Sequence, residues 1–448
     1  MVLPLHPVAA HAAHAEPREP PYQWFLLTAL VLAAAGGLAY AIAASLDGAL
    51  EWGWGTRQPA MLQVHGQLQL IGFAGLFTAG MTLRLVPRIS ARPLRTPWLI
   101  WPTLVAIAAS MILRAIAQPA PDAALRDVAL GLSAGAFVVG AAAFAALVGV
   151  MTLHPAREAT ELFFALGALF LLASSGLNAV IVYEMLDEQA MLADSAKQSA
   201  LVFIQQYGFI VMFLAGVASR ALPTFSGLPR AEIGSRVTAV TLAAGVSMFA
   251  AGVLGAAYGE PGAGWSRLAA GGLIVVAGAL AFVVWITGVL HPRANRIAPA
   301  SRRQFWFVRS AMIWLLLGAA LLAWYGVRAL SDAALPDQFA IDAVRHLVAL
   351  GVITMMIIGM AMLIVPEFAA RRMHHPHDGP IVWAMLAAAN AAVVLRVWPS
   401  LEGIDWIEST RYWPMAVAGL LAEGVLLAFA LLFAQSWLER GGWRTPKA

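Results

Sequence analysis

Twelve long apolar stretches constrain this chain more than any other feature. Each is close to the roughly 20 residues a helix needs to cross a hydrocarbon core. They run approximately over 23–46, 60–87, 97–117, 128–153, 161–184, 198–225, 236–257, 265–290, 305–329, 341–368, 380–399 and 412–437. None shows the alternating ten-residue pattern of a transmembrane β-barrel. The predicted fold is an all-α polytopic membrane protein with twelve transmembrane helices. Composition points the same way. The 448 residues are 61% hydrophobic and 12% charged, where a soluble domain carries about 25% charged residues. A soluble chain of this size could not hide so much apolar surface, which excludes a soluble enzyme, a nucleic-acid binder and a disordered protein. Cysteine is absent, so disulfides, thiolate metal sites and cysteine-ligated clusters are excluded as well.

The charges set an orientation. Of the 28 basic residues, 18 fall in one set of loops and tails, including Arg84, Arg88, Arg92, Arg157, Arg220, Arg230, Arg302 and Arg371. The opposite set holds six: Arg57, Arg126, Lys197, Arg267, Arg328 and Arg411. The positive-inside rule then predicts that both termini are cytoplasmic. The opposite loops are acidic, with Asp187, Glu188, Asp194, Asp332, Asp337, Asp342, Glu402, Asp405 and Glu408. The net charge of +4 thus reads as a topology signal and not as a footprint for nucleic acid. Residues 1–22 carry Glu16, Arg18, Glu19 and five prolines, without a basic start and cleavage site. They are expected to be a cytoplasmic tail and not a signal peptide. Residues 23–437 form one transmembrane domain, and 438–448 a second cytoplasmic tail.

A motif recurs every four spans. Span 2 ends with Gly80 and Pro87, span 6 with Gly216 and Pro223, and span 10 with Gly359 and Pro366, always seven residues apart. Spans 4 and 8 end in Leu153-His154-Pro155 and Leu290-His291-Pro292. Glycine permits close helix packing, and proline bends or ends a helix near the headgroups. The chain therefore reads as three units of four helices, about 23–153, 161–290 and 305–437.

Among ten histidines, only His65 and His346 lie inside apolar spans, where ionisable residues are rare and usually functional. Each is about one turn from the start of its span, and spans 2 and 10 run in the same direction. The two imidazoles are therefore expected at similar depth. Two neutral imidazoles across a gap are what a six-coordinate haem iron requires. Two separate, hydrogen-bonded intramembrane histidines remain the other reading. His154 and His291 suit helix C-termini. His6, His11 and His14 lie in the tail, and His374, His375 and His377 form an interfacial run after span 10. Met355, Met356, Met360 and Met362 read as a packing stripe. Trp52, Trp54, Trp406 and Trp413 suit an aromatic belt. Further polar groups inside spans are Asn178, Tyr183, Glu184, Asn390, Arg396 and Glu423. Glu423 reads either as a proton-relay or quinol-bonding carboxylate or as a protonated structural acid.

The surroundings of these residues resemble the NnrS family and, more distantly, subunit I of the haem-copper oxidases. The resemblance rests on His65 with Gly72-Phe73-Ala74-Gly75, on Ser219-Arg220-Ala221-Leu222-Pro223-Thr224-Phe225-Ser226, and on Arg345-His346-Leu347-Val348-Ala349-Leu350-Gly351. It implies twelve helices in three four-helix arcs, with His65 and His346 as axial ligands of one b-type haem. It also implies arginines for the haem propionates, Arg411 first, then Arg345 and Arg57. The oxidases carry a second histidine two residues away on helix 10, where this chain has Val344 and Val348. They place copper ligands on and after helix 6, where this chain has Gln205, Gln206 and Tyr207 and no histidine before His291. A three-imidazole copper site cannot be built there, so copper is doubtful and a typical oxygen reductase is not expected. Gln205, Gln206 and Tyr207 read as a polar remnant of that centre or as interhelical hydrogen bonds.

The leading expectation is a haem-binding protein of a bacterial cytoplasmic membrane, an oxidoreductase or sensor in electron transfer or nitric-oxide-related metabolism. Quinol, a cytochrome or other respiratory subunits are its implied partners. The alternatives are a secondary transporter, which usually repeats as six plus six, and a non-catalytic subunit of a respiratory complex.

Overall fold

A computed structural model describes residues 21–90, 92–154, 158–259, 262–291, 302–335, 338–369, 379–401 and 408–438. The sequence expectations for residues 1–20 and 439–448, and for His6, His11, His14, His374, His375 and His377, lie outside this range. Twelve helices are long and apolar enough to cross a membrane. They are α1 (Tyr22–Leu50), α2 (Arg57–Ile89), α3 (Pro97–Ala117), α4 (Ala123–Thr152), α5 (Ala159–Asp187) and α6 (Ser195–Ser226). The second half contains α7 (Glu232–Tyr258), α8 (Ala263–Thr287), α9 (Arg302–Asp332), α10 (Ala340–Val365), α11 (Gly379–Ser400) and α12 (Tyr412–Gln435). No strand is present among the described residues. This is what a chain must do in lipid, where every backbone donor and acceptor has to be satisfied within its own segment.

Several helices run past the apolar boundary read from sequence. The α4 helix starts at Ala123, where the Asp122 side chain accepts a hydrogen bond from Leu125 N. The α5 helix continues to Asp187, and α9 to Asp332. Polar residues extend these ends because backbone pairing continues after the apolar run has stopped.

The twelve helices are not equivalent. In α2, α6 and α10, 83%, 89% and 72% of an 18-residue apolar stretch is buried, against 33–56% in the other nine. These three are the inner helices and touch one another. The remaining nine pack around them in the order α1, α3, α4, α5, α7, α8, α9, α11 and α12, with α12 returning to α1. Exposed Val105, Leu132, Leu169, Val240, Trp285, Trp324 and Leu420 lie on the outer ring, the face a bilayer would solvate.

The inner helices share three local features. Each contains an eight-residue π-helical segment: Leu68–Gly75, Ile204–Val211 and Leu347–Thr354. Each π segment has glycine at its fifth position, Gly72, Gly208 and Gly351. Each is followed by the close-packed glycine already noted. A methyl group added at Gly80, Gly216 or Gly359 would stand 2.6, 2.8 or 2.8 Å from Cβ of Phe25, Phe163 or Phe307. Those phenylalanines belong to α1, α5 and α9, so each inner helix is clasped by the helix that precedes it. The helical backbone of the inner helices also ends alike, at Ile89, at Ser226 and, past the apolar stretch of α10, at Ala369, within three residues of Pro87, Pro223 and Pro366. The methionines of α10 are buried. Met356 and Met360 help line an apolar cavity between α2, α6 and α10.

Candidate functional site

A π-helical turn leaves a backbone carbonyl without its usual i+4 donor. That carbonyl must find another partner if it is buried. At the site near the N-terminal ends of α2 and α10, one acceptor lies in such a segment. In α1 a further π segment, Ala33–Leu38, faces the π segment of α2. Gly37 lies in it, and His65 Nδ1 donates to the Gly37 carbonyl at 2.8 Å. Glycine at 37 also makes room for Gln69, whose Nε2 would lie 2.4 Å from a Cβ on that residue. Gln69 in turn donates to the Ala33 carbonyl at 3.2 Å.

His346 is the last α-helical residue before the π segment of α10. Its Nδ1 lies 3.0 Å from the Asp342 carbonyl and 3.1 Å from Asp342 Oδ1, one turn earlier in the same helix. Asp342 Oδ2 accepts from Arg396 Nη2 of α11 at 2.5 Å, and Arg396 Nη1 donates to Ser400 Oγ at 3.1 Å. The carboxylate therefore has a cation on one oxygen and an imidazole N–H on the other.

The two imidazoles come together across the α2–α10 contact. Their ring centroids are 6.1 Å apart and their planes are parallel to within 5°. This is too far for face-to-face contact between flat rings, which needs about 3.5–4.0 Å between carbon atoms. Both Nδ1–H groups are occupied, so the free lone pair of each ring is on Nε2, the tautomer of a metal-ligating histidine with an outer-shell acceptor.

These residues fit a haem iron. Two nitrogen–iron bonds of about 2 Å on opposite sides of one metal would set the ring centres about 6 Å apart. No three His, Cys, Asp or Glu side chains cluster as a metal site among the described residues. An iron on this pair would therefore take its remaining bonds from its own macrocycle. Gly66, next to His65, has open space where a Cβ would stand. His346 retains 21% side-chain exposure although it lies within the bundle.

The α6 helix braces both histidine-bearing helices, α2 and α10. Gln205 and Gln67 of α2 exchange two amide hydrogen bonds, at 3.0 and 3.1 Å. Gln206 Nε2 donates to the Arg345 carbonyl at 2.9 Å. Arg345 Nη2 donates to Ser199 Oγ of α6 at 2.6 Å, so this guanidinium engages α6. Tyr207 is fully buried against Phe203, and its hydroxyl has no partner. Arg57 is exposed in the first turn of α2, and half-buried Arg411 closes the turn leading into α12. Glu423 is half-buried in α12, with Oε2 enclosed and unpartnered. His154, at the other end of the bundle, pairs with Glu161 at 3.1 Å.

One contributor, Asp342, does not stand out in the sequence, and the pairing of another, Arg396, does not either. Asp342 was grouped with the acidic loops, although its i,i+4 spacing to His346 is the signal of a same-face pair. Arg396 was visible as a cation within a span, but its partner lies 54 residues away. Comparison of the chain with models of protein families and with curated protein sequences finds no match.

Proposed function

We propose that this chain is a membrane haem b protein of the NnrS and haem-copper-oxidase kind, with one bis-histidine haem held by His65 and His346. The observation that carries the reading is the pair of parallel imidazoles 6.1 Å apart, each with its Nδ1 bound to a carbonyl oxygen. The three-unit reading, about 23–153, 161–290 and 305–437, is supported by the matched π segments, glycines and clasping phenylalanines of α2, α6 and α10. The basic-residue bias supports a bacterial cytoplasmic membrane location, with both termini cytoplasmic and the histidines toward the opposite face.

A haem held by His65 and His346 would supply one-electron redox chemistry. The chain's own residues do the rest. Gly37 and Asp342 hold the imidazole N–H groups, fixing tautomer and ring orientation and raising ligand basicity. Arg396 offsets the Asp342 charge. The Gln67–Gln205 pair and the Gln206–Arg345 bond hold α6 against both ligand helices, which keeps the spacing constant as the charge on the site changes. Such rigidity suits electron transfer better than ligand exchange. Arg411 and Arg57, at the same end of the bundle, are the cations proposed for the propionates. Quinol or a cytochrome is the proposed redox partner. A link to nitric-oxide metabolism rests on the resemblance alone.

The test is an absorption spectrum of the detergent-purified protein, oxidised and dithionite-reduced, after expression with ample haem. Sharp α and β bands on reduction are expected. Absence of a Soret band would overturn the proposal. If haem is present but either His65→Ala or His346→Ala keeps the low-spin spectrum, the ligand assignment fails while haem binding stands.

A further inference from the structure

Arg114 lies in α3, inside the run Ile107-Ala108-Ala109-Ser110-Met111-Ile112-Leu113-Arg114. Its side chain is 1% exposed. Nε donates to Gln118 Oε1 at 3.0 Å, and Nη1 donates to Asn178 Oδ1 of α5. Nη2 is buried and has no acceptor. No carboxylate among the described residues pairs with this guanidinium. Its two partners are neutral amides, themselves 0% and 2% exposed. Ser110 and Ser133 bond to each other nearby, one turn along α3.

A buried cation without a counterion is among the most unfavourable groups a membrane helix can carry. Guanidinium cannot escape by losing its proton. By contrast, Arg396 has Asp342 and Lys197 has Glu184. Arg114 instead has a polar enclosure with one donor nitrogen left over. The enclosure is closed at the histidine end by Gln118, which donates to Gln63 Oε1 of α2 at 2.7 Å and to the Met191 carbonyl at 3.3 Å. Ala193 N completes this lid by donating to Gln63 Oε1 at 3.0 Å.

We propose that Arg114 binds a small monovalent inorganic anion, of the chloride or nitrate class, in a site between α3 and α5. One positive charge with neutral amide partners calls for one negative charge, since a divalent anion would leave the enclosure charged again. The near-complete burial of Arg114, Gln118 and Asn178 selects a small ion. The site is separate from the imidazole pair and does not depend on the haem reading. It is reached by parting the Gln63–Gln118 amide pair and the 191–193 segment.

The experiment is thermal unfolding of the full chain in neutral detergent, with chloride replacing gluconate at constant ionic strength. Ligand binding to the folded state should raise Tm saturably, by about 2–4 °C at high occupancy. Arg114→Gln should abolish that shift. Asn178→Asp places a carboxylate beside the guanidinium and should also abolish it, with Tm in gluconate reaching at least the wild-type value in chloride. If Arg114→Gln does not fold, Asn178→Asp still decides. The proposal is overturned if wild-type Tm is the same in chloride, nitrate and gluconate, or if either folded variant keeps the full shift. It is also overturned if only added phosphatidylglycerol raises Tm, because the cation then serves a lipid phosphate.

Discussion

Two buried polar sites lie toward the same end of this bundle, and they are solved differently. At the α2–α10 contact, two imidazoles are each given a hydrogen-bond acceptor from the backbone, and the one carboxylate present is matched by Arg396. At Arg114 the chain supplies a permanent cation and two neutral amides, with no carboxylate paired to it among the described residues. The difference follows from the side chains. Imidazole can enter the membrane neutral and needs only its N–H satisfied. Guanidinium stays charged and needs an anion. The first site is complete in itself apart from what it ligates, and the second is incomplete in charge.

The largest expected effect separates the two sites outright. His65→Ala or His346→Ala should remove the low-spin signal from the reduced-minus-oxidised spectrum while leaving the chloride-dependent Tm shift intact. Loss of both signals in either variant would show that the sites are coupled.

Next come the two arginines. Asp342→Asn leaves Arg396 without its carboxylate and should cost about 3 kcal/mol, measured by unfolding in detergent. Arg114→Gln removes a cation that has no carboxylate, and in gluconate should change stability by no more than about 1 kcal/mol. Equal losses in the two variants would break the contrast between compensated and uncompensated charge.

Smaller effects probe the scaffold around the imidazoles. Gly37→Ala should force Gln69 away from Ala33 and cost about 1–2 kcal/mol by the same unfolding measurement. It should also perturb the α band, because the carbonyl that orients His65 belongs to residue 37. Gln67→Leu and Gln205→Leu should each cost about 1 kcal/mol, the scale of a membrane interhelical hydrogen bond plus one orphaned amide. The double substitution should recover part of that loss, which a double-mutant cycle would read directly.

Much of the fold was legible in the sequence. All twelve helices were, because a segment that satisfies its own backbone in lipid must be long, apolar and uninterrupted. The glycine–proline pairs of spans 2, 6 and 10 were legible too, and their helices are the three inner ones. That inner position was not itself readable, since α2 and α6 are no more apolar than the outer helices. The π segments were also hidden, because they depend on which carbonyls find partners on neighbouring helices. His65 and His346 stood out as rare ionisable residues at matched depth. Their positions are not equivalent, however. His65 precedes Gly72 by seven residues and His346 precedes Gly351 by five, so repetition of one position does not produce the pairing. Arg114 was just as visible, as an arginine in an apolar run. That no carboxylate among the described residues pairs with it is a property of α5 and its neighbours, which one-dimensional spacing does not carry.

By itself, then, the sequence determined the medium, the number of crossings and the short set of polar residues placed inside them. Each of these depends on local composition and on the cost of exposing backbone to hydrocarbon. Only the tertiary structure decided which helices are central, which carbonyl holds His65, that Arg396 answers Asp342 and that Arg114 is left with neutral partners. Those outcomes depend on groups far apart in the chain meeting within hydrogen-bond distance. In a low-dielectric interior, such meetings determine whether a polar side chain is tolerated or left needing a ligand.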